Sequence, residues 1–319
     1  MVMTGISEPG ASRDGYGDAL LDLSSDERVV VLEADLGKST KSCHFRAKYP
    51  DRTFCLGIAE QNMALVGAGL AEAGKIPFAS TFAIFSERAF EQFRNGIART
   101  GLVVHLCGSH GGMHTGQDGS SAQSTEDLAI FRTLPGMTVM HPCDRNSARS
   151  LTRNLLDHEC PSYTRTARNK TREIYSKEEA DNLEIGVASE LRAGGDATII
   201  ACGVMVERSL DAAEELSNHG IEARVVDMHT LKPIDKNAIL KAAKTGAIVT
   251  AEDHSVIGGL GSAVAEILSE ECPTRMKMVG VRDKFGESGS PEEIMNMMGL
   301  TSENIAQRVM ELVRKPGRT

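Results

Sequence analysis

The chain has 319 residues, 41% of them hydrophobic, so two domains of roughly 100–200 residues, each with its own core, are expected. The formal net charge of -9 argues against a nucleic-acid or anionic-membrane partner. The seven cysteines have no CxxC spacing, which indicates neither a disulfide framework nor a zinc knuckle, and we expect reduced thiols in a cytoplasm.

The first half of the chain alternates short apolar strands with amphipathic helices, and the segment before it lacks the apolar run of a signal peptide. The clearest predicted helix covers residues 60–74. The predicted strands are 29–35, 53–57, 76–82, 101–110, 138–142 and 162–167. Because these strands are apolar throughout, a mainly parallel sheet with helices on both faces is expected.

A second series of strands and helices follows a charged, poorly periodic stretch. That stretch, between Asn169 and Ala193, is typical of a linker. The later predicted strands are 197–204, 222–230, 247–253 and 276–282. The sequence therefore predicts the α/β fold class in two domains, 1–185 and 186–319, each a mainly parallel sheet with helices on both faces.

The most informative motif is GIAEQNM at residues 57–63, between a strand and a helix. Open parallel sheets bind ligands at the carboxyl ends of their strands, and Glu60 is expected in the first helical turn past such an end. Position alone favours an ordinary acid at a helix N-terminus.

Phe82 and Phe85, after the next strand, are spaced for one helical face. They form either a core pair or a stacking wall for a flat heterocycle.

Two glycine-rich segments carry further candidates. The first, at 108–121, follows a strand and has the length of a functional or disordered loop. His110 and Asp118 in this loop are suited to hydrogen-bond a polyhydroxylated substrate. The second, at 258–261, lacks the GxGxxG order of a dinucleotide site. It favours close helix–strand packing, with His254 as a structural residue.

The order of these motifs resembles transketolases along essentially the whole chain. ADLGKST, GIAEQNM, ASTFAIFSERA and SHGGMHTGQDGSSAQSTEDLAIFR are similar to the pyrimidine-binding domain of that family. VVDMHTLKPID, TAEDHSVIGGLGSAVAEIL and DKFGESGSPEEIMNMMGL are similar to its C-terminal domain. The resemblance implies an enzyme that uses thiamine diphosphate to transfer a two-carbon ketol unit from a phosphorylated ketose to an aldose.

The resemblance also implies which residues contact the cofactor. Glu60 matches the catalytic glutamate that touches N1′ of the aminopyrimidine ring. Phe82 and Phe85 match the aromatic wall around that ring. Arg88 falls where many transketolases have a tyrosine, and it is similar to the arginine of the related deoxyxylulose-phosphate synthases. The resemblance implies that a stacked guanidinium can take the role of that tyrosine. Asp35 matches an aspartate near the cofactor at the subunit interface.

A second set of residues is implied in substrate binding. Positions for the terminal phosphate of the substrate are matched by Arg13, Ser39, His110 and Arg168, which together make a chemically sensible anion clamp. Asp118 matches the aspartate that reads a substrate hydroxyl.

One position departs from the family pattern. Ala122 stands where bacterial transketolases have a substrate-contacting histidine. The loss of this polar group leaves the exact sugar open.

The GDG…N motif, which holds Mg²⁺ at the cofactor's diphosphate in this family, is not found, and we predict no metal ligand in this chain. The resemblance therefore implies a split enzyme, in which an N-terminal transketolase subunit supplies the diphosphate domain and Mg²⁺ site within an α2β2 assembly.

Three alternatives remain open: the β subunit of a 2-oxoacid dehydrogenase first component, a degenerate regulatory subunit without catalysis, and a dinucleotide-binding oxidoreductase.

Overall fold

The computed structural model describes residues 9–313, in which strands and helices alternate along most of the chain. The strands are β1 (Val29–Glu33), β2 (Thr53–Cys55), β3 (Ile76–Phe82), β4 (His105–Ser109), β5 (Thr138–Met140), β6 (Ser162–Thr166), β7 (Ser189–Arg192), β8 (Ala197–Ala201), β9 (Ala223–Asp227), β10 (Thr230–Lys232), β11 (Ala247–Ser255) and β12 (Arg275–Val281). The α-helices are α1 (Ser12–Asp22), α2 (Gly37–Thr40), α3 (Cys43–Lys48), α4 (Glu60–Glu72), α5 (Ala83–Ser86), α6 (Phe90–Gln92), α7 (Asp127–Arg132), α8 (Arg145–Arg153), α9 (Lys177–Ala180), α10 (Met205–Asn218), α11 (Lys236–Ala243), α12 (Leu260–Glu271), α13 (Pro291–Met297) and α14 (Ser302–Val313).

The strands form two sheets. The first has seven strands in the order β10-β5-β6-β4-β3-β1-β2, and the second has five in the order β12-β11-β8-β9-β7. Eight neighbouring pairs are parallel. Only β5 with β10 and β7 with β9 are antiparallel among the described strands. The predicted α/β class, with two mainly parallel sheets flanked by helices, is confirmed.

One strand from the second half of the chain belongs to the first sheet. The sequence predicted a single strand over 222–230, but this segment is divided between β9 in the second sheet and β10 in the first. Thr230 pairs with Met140 of β5 in antiparallel register. This pairing covers an edge whose backbone groups would otherwise be unpaired. The segment 222–232 therefore contributes to both sheets. The domain boundary between residues 185 and 186 stays a prediction.

The stretch predicted as a linker, between Asn169 and Ala193, is ordered and holds the two sheets together. It contains α9 and β7, so the stretch predicted as a linker has secondary structure of its own. Tyr175 is buried, and its hydroxyl donates to Asp227 Oδ2 at 2.9 Å. Its backbone N–H donates to Asp144 Oδ2 at 2.9 Å. These long-range contacts order a segment whose charged composition is typical of a loop.

The glycine cluster after β11 packs α12 onto the second sheet. A Cβ atom at Gly259 would lie 2.0 Å from Glu252 Oε2. The Glu252 carboxylate accepts the two backbone N–H groups at the start of α12 at 2.7 and 2.8 Å. His254 Nδ1 donates to the Ser255 carbonyl at 2.7 Å, and Nε2 accepts from the Ala129 N–H at 3.3 Å. Close packing here is confirmed, and backbone partners at both ring nitrogens of His254 are consistent with the predicted structural role.

All seven cysteines are free thiols. Burial raises the pKa of Cys107 to about 12, so this thiol stays protonated at neutral pH. Among the helices of residues 9–313, none is long and apolar enough to cross a bilayer.

Candidate active site

Most of the predicted site residues lie where five neighbouring strands of the first sheet end, in the order β6-β4-β3-β1-β2. Arg168 follows β6, His110 follows β4 directly, and Phe82 is the last residue of β3. Asp35 comes just after β1, and Glu60 comes shortly after β2. Because these strands are parallel, their carboxyl ends meet at one edge, which is where open α/β sheets bind ligands.

Glu60 is the first residue of α4, as the sequence predicted, and its side chain is only 3% exposed. Arg88 Nε lies 3.8 Å from Glu60 Oε2, and the Arg88 side chain is 67% exposed. We find no hydrogen bond from a residue within 9–313 to either carboxylate oxygen. A buried carboxylate at this edge, with Arg88 as its ion-pair partner, is placed to bind a ligand as well as to interact with the helix N-terminus.

Phe82 and Phe85 form a stacked pair at this edge. Their ring centroids lie 5.5 Å apart with planes 13° from parallel. Phe82 also stacks on the His110 ring, at 4.0 Å and 22°. The prediction that both rings share a helical face is wrong, because α5 begins only after Phe82. The rings nevertheless lie together, and both are half-buried.

His110 is a neutral histidine among cations. Its Nε2 lies 3.4 Å from Arg13 Nη1, and since a guanidinium only donates, Nε2 is the acceptor. Nδ1 therefore carries the proton and donates to Ser109 Oγ at 2.9 Å. Burial, followed by the charges of Arg13, Arg168 and Lys41, lowers the pKa of His110 to about 3. The ring can exchange hydrogen bonds with a ligand without adding charge to the site.

Arg13, on α1, reaches the segment that follows β1. Its Nη1 donates to the backbone carbonyl of Ser39 at 3.2 Å, so the two residues are brought together as predicted, though through the backbone of Ser39. Burial lowers the pKa of Arg13. Within the described part of the chain, the buried Arg13 Nε has no hydrogen-bond partner. A guanidinium with donor capacity to spare is suited to an anion.

Arg168, which follows β6, forms an ion pair with Asp118 of the glycine-rich loop. Arg168 Nη1 donates to Asp118 Oδ1 at 2.7 Å, and each side chain is 32% exposed. The sequence predicted Arg168 for a substrate phosphate and Asp118 for a substrate hydroxyl. The fold thus brings the two predicted subsites into direct contact.

Glu33, which the sequence analysis missed, is the last residue of β1 and anchors the segment after Asp35. Its buried carboxylate accepts from Ser42 Oγ at 2.7 Å and from the Arg46 guanidinium. A Cβ atom at Gly37 would lie 1.9 Å from Glu33 Oε2. Asp35 itself is exposed and has a φ of 61°, a left-handed conformation. The signal that could have identified Glu33 is its position as the one charged residue, at the end of the otherwise apolar strand VVVLE.

Lys41 is a second residue that the sequence analysis missed. It has a φ of 71°, and its Nζ lies 3.1 Å from Asp14 Oδ1. Its charge is one of those that lower the pKa of His110, so it adds to the positive potential of the edge. A lysine two residues after Ser39 was the available signal.

Two family models cover most of the chain. The transketolase pyrimidine binding domain matches residues 9–173, and the transketolase C-terminal domain matches residues 186–305. Across residues 9–313, no group of three or more His, Cys, Asp or Glu side chains could hold a metal ion.

Similar proteins agree with these models. The 6-deoxy-6-sulfo-D-fructose transketolase subunit SqwH of Clostridium sp. is 44% identical over 306 residues, 95% of this chain and 94% of that protein. A solved split-gene transketolase, an inactive β4 tetramer, is 46% identical with a TM-score of 0.89, and the match covers 95% of this chain and 98% of that one. Human transketolase is 36% identical over 97% of this chain but only 50% of its own length. The chain therefore belongs to the transketolase family, with that family's pyrimidine-binding and C-terminal domains.

Proposed function

We propose that the chain is one subunit of a split, cytoplasmic transketolase that transfers a two-carbon ketol unit from a phosphorylated ketose to an aldose. One observation carries this proposal. The buried Glu60 carboxylate, without a hydrogen-bond donor from residues 9–313, lies at the same sheet edge as a stacked aromatic pair and a cluster of cations. A ring nitrogen, a flat ring and a sugar phosphate are the groups that such an edge can bind.

The residues of the edge fit thiamine diphosphate. The Glu60 carboxyl would hold a proton at the ring nitrogen of the aminopyrimidine, because no described donor competes for its oxygens. Phe82 and Phe85 would pack against that ring, and the exposed Arg88 guanidinium would stack at its border. Asp35 would lie near the cofactor where a second subunit approaches. When bound, the cofactor supplies the electron sink that carbon–carbon cleavage of a ketose requires.

The remaining residues would bind and orient the substrate. Arg13 and Arg168 would bind the terminal phosphate with charge-assisted hydrogen bonds, and Ser39 would complete this subsite. His110, which is neutral, would hydrogen-bond the sugar without repelling the two guanidiniums. Asp118 would read a sugar hydroxyl after releasing Arg168 to the phosphate.

The partner in this proposal is an N-terminal transketolase subunit that carries the diphosphate-binding domain. Two relatives that match over nearly their whole length support it, since one is named as a subunit and the other as the product of a split gene. The cofactor's phosphate oxygens call for a hard cation such as Mg²⁺, which we place on the partner. We further propose an α2β2 assembly with the active site between the two kinds of subunit.

Two of the alternatives, the 2-oxoacid dehydrogenase subunit and the degenerate regulatory subunit, predict different reaction outcomes. A 2-oxoacid dehydrogenase subunit would release carbon dioxide from a 2-oxoacid, and a degenerate subunit would assemble without turnover. The similarity to proteins named as transketolases favours ketol transfer over both.

The decisive experiment is to co-purify the full chain with a candidate N-terminal subunit from the same genome. The complex is supplied with thiamine diphosphate, Mg²⁺ and a panel of phosphorylated ketoses and aldoses, and ketol transfer is measured. We expect turnover by the complex and none by either chain alone. Turnover by this chain alone would overturn the split-enzyme proposal. An assembled, cofactor-bound complex that converts none of the sugars would favour the degenerate subunit.

A further inference from the structure

The glycine-rich loop is held in place from the other sheet, by a carboxylate to which the sequence analysis assigned no role. Asp253, near the end of β11, is buried. Its Oδ1 accepts the backbone N–H of Met113 at 2.7 Å, and its Oδ2 accepts the N–H of His114 at 3.0 Å. One residue of the C-terminal half therefore satisfies two consecutive backbone donors of the loop.

The fit between this carboxylate and the loop leaves no room for side chains. Gly112 has a φ of 81°, and a Cβ atom there would lie 2.2 Å from Asp253 Oδ2. Four residues later, a Cβ atom at Gly116 would lie 3.0 Å from the ring of Pro291, the first residue of α13. Gly112 and Gly116 are thus explained by the close approach of the C-terminal half.

Further contacts join the same two parts. The Gln123 side-chain amide donates to the Gly116 carbonyl at 3.0 Å and to the Glu287 carbonyl at 2.9 Å. The fully buried Arg165 donates to the Asp253 carbonyl at 2.6 Å. The C-terminal half therefore contacts this region on both sides of Asp118, at Met113 and His114 before it and at Gln123 after it.

We propose that Asp253 is a positioning residue, which fixes the Met113–His114 turn and thereby sets where Asp118 meets the sugar. The C-terminal half of the chain then contributes to sugar recognition without touching the substrate. This inference rests on the proposed function, because it assumes that Asp118 reads a substrate hydroxyl.

The test compares Asp253→Asn with the matched control Glu252→Gln in the complex with the partner subunit. Both residues are buried carboxylates of β11 that accept two backbone N–H groups, but those of Glu252 belong to α12. An asparagine offers one oxygen and turns its NH₂ group toward the second N–H, so a hydrogen bond to the loop is lost. We expect KM for the phosphorylated ketose to rise at least about tenfold in Asp253→Asn, with kcat within about threefold. In Glu252→Gln, KM stays within about threefold.

A second measurement needs no turnover. Backbone hydrogen exchange in the chain itself reports on the N–H groups of Met113 and His114, whose protection should fall at least about tenfold in Asp253→Asn only. Equal changes of KM in the two variants, or unaltered exchange in the loop, would overturn the positioning role. If the wild-type complex transfers no ketol unit but exchange changes as expected, the proposed function has failed while the contact to the loop stands.

Discussion

Arg168 and Asp118 are joined by a hydrogen-bonded ion pair of 2.7 Å, although one is assigned to a phosphate and the other to a sugar hydroxyl. Each side chain is about a third exposed. Ion pairs at such positions contribute little to stability, commonly below about 1 kcal/mol. In the proposed function, a substrate phosphate would therefore displace Asp118 from the guanidinium at low cost, which would free the carboxylate for the sugar. The pair would then link the occupation of the proposed phosphate subsite to the availability of the proposed hydroxyl subsite.

Arg168→Gln should weaken binding of phosphorylated donors selectively. A hydrogen bond to a charged group contributes about 1.5–3 kcal/mol, so KM for a phosphorylated ketose should rise about ten- to hundredfold. The corresponding unphosphorylated ketose should be affected far less. The control is Arg153→Gln on α8, which removes an exposed ion pair to Asp181. The same loss for both donors would contradict the phosphate role of Arg168.

Glu60→Gln should abolish turnover and leave assembly intact. The amide has the same shape but cannot share a proton with a ring nitrogen, and general acid–base groups typically contribute about 10²–10⁴-fold to rate. We therefore expect kcat of the complex to fall at least about 100-fold, with an unchanged mass by light scattering. Glu72→Gln, at the opposite end of α4, is the matched control and should retain activity. Near wild-type turnover of Glu60→Gln would remove Glu60 from the mechanism.

The parts of the site that follow from local sequence were predictable. The predicted end of β2 and start of α4 locate Glu60 at the binding edge. The predicted ends of β3 and β4 locate Phe82 and His110 there in the same way. The wrong part is equally local. The helical face proposed for Phe82 and Phe85 required α5 to begin one residue earlier, a shift within the usual uncertainty of a helix boundary.

The parts that depend on distant residues could not be predicted. Asp253 lies 139 residues from the N–H of His114 that it binds, and no spacing rule connects the two. The segment containing Tyr175 was interpreted as a linker for the same reason, since its order comes from the distant Asp227. Strand β10 was missed because pairing at an edge depends on where β5 ends in space.

His110 should remain neutral throughout the range in which ordinary histidines titrate. Burial and the neighbouring cations lower its pKa to about 3. Its ¹⁵N shifts should therefore stay constant from pH 8 to pH 5 and correspond to the Nδ1-protonated form. Arg13→Met should raise the pKa of His110 but leave it below the ordinary value, because burial is the larger cause. The urea-unfolded chain, in which histidines have a pKa of about 6.5, provides the comparison. Titration of His110 near that pH in the folded chain would contradict the assignment.

Asp227, which accepts the Tyr175 hydroxyl between the two sheets, should make stability fall as pH rises. Burial raises the pKa of Asp227 to about 7. A carboxyl whose pKa is higher in the folded than in the unfolded state stabilises the fold below the unfolded value, and this contribution is lost as pH rises through the folded value. Relative to Asp227→Asn, the wild type should therefore lose about 2 kcal/mol of unfolding free energy between pH 5 and pH 8. Urea unfolding of both proteins at these two pH values measures the difference. Equal pH dependence of the two proteins would mean that Asp227 is already ionised at pH 5, and that Tyr175 compensates for its buried charge.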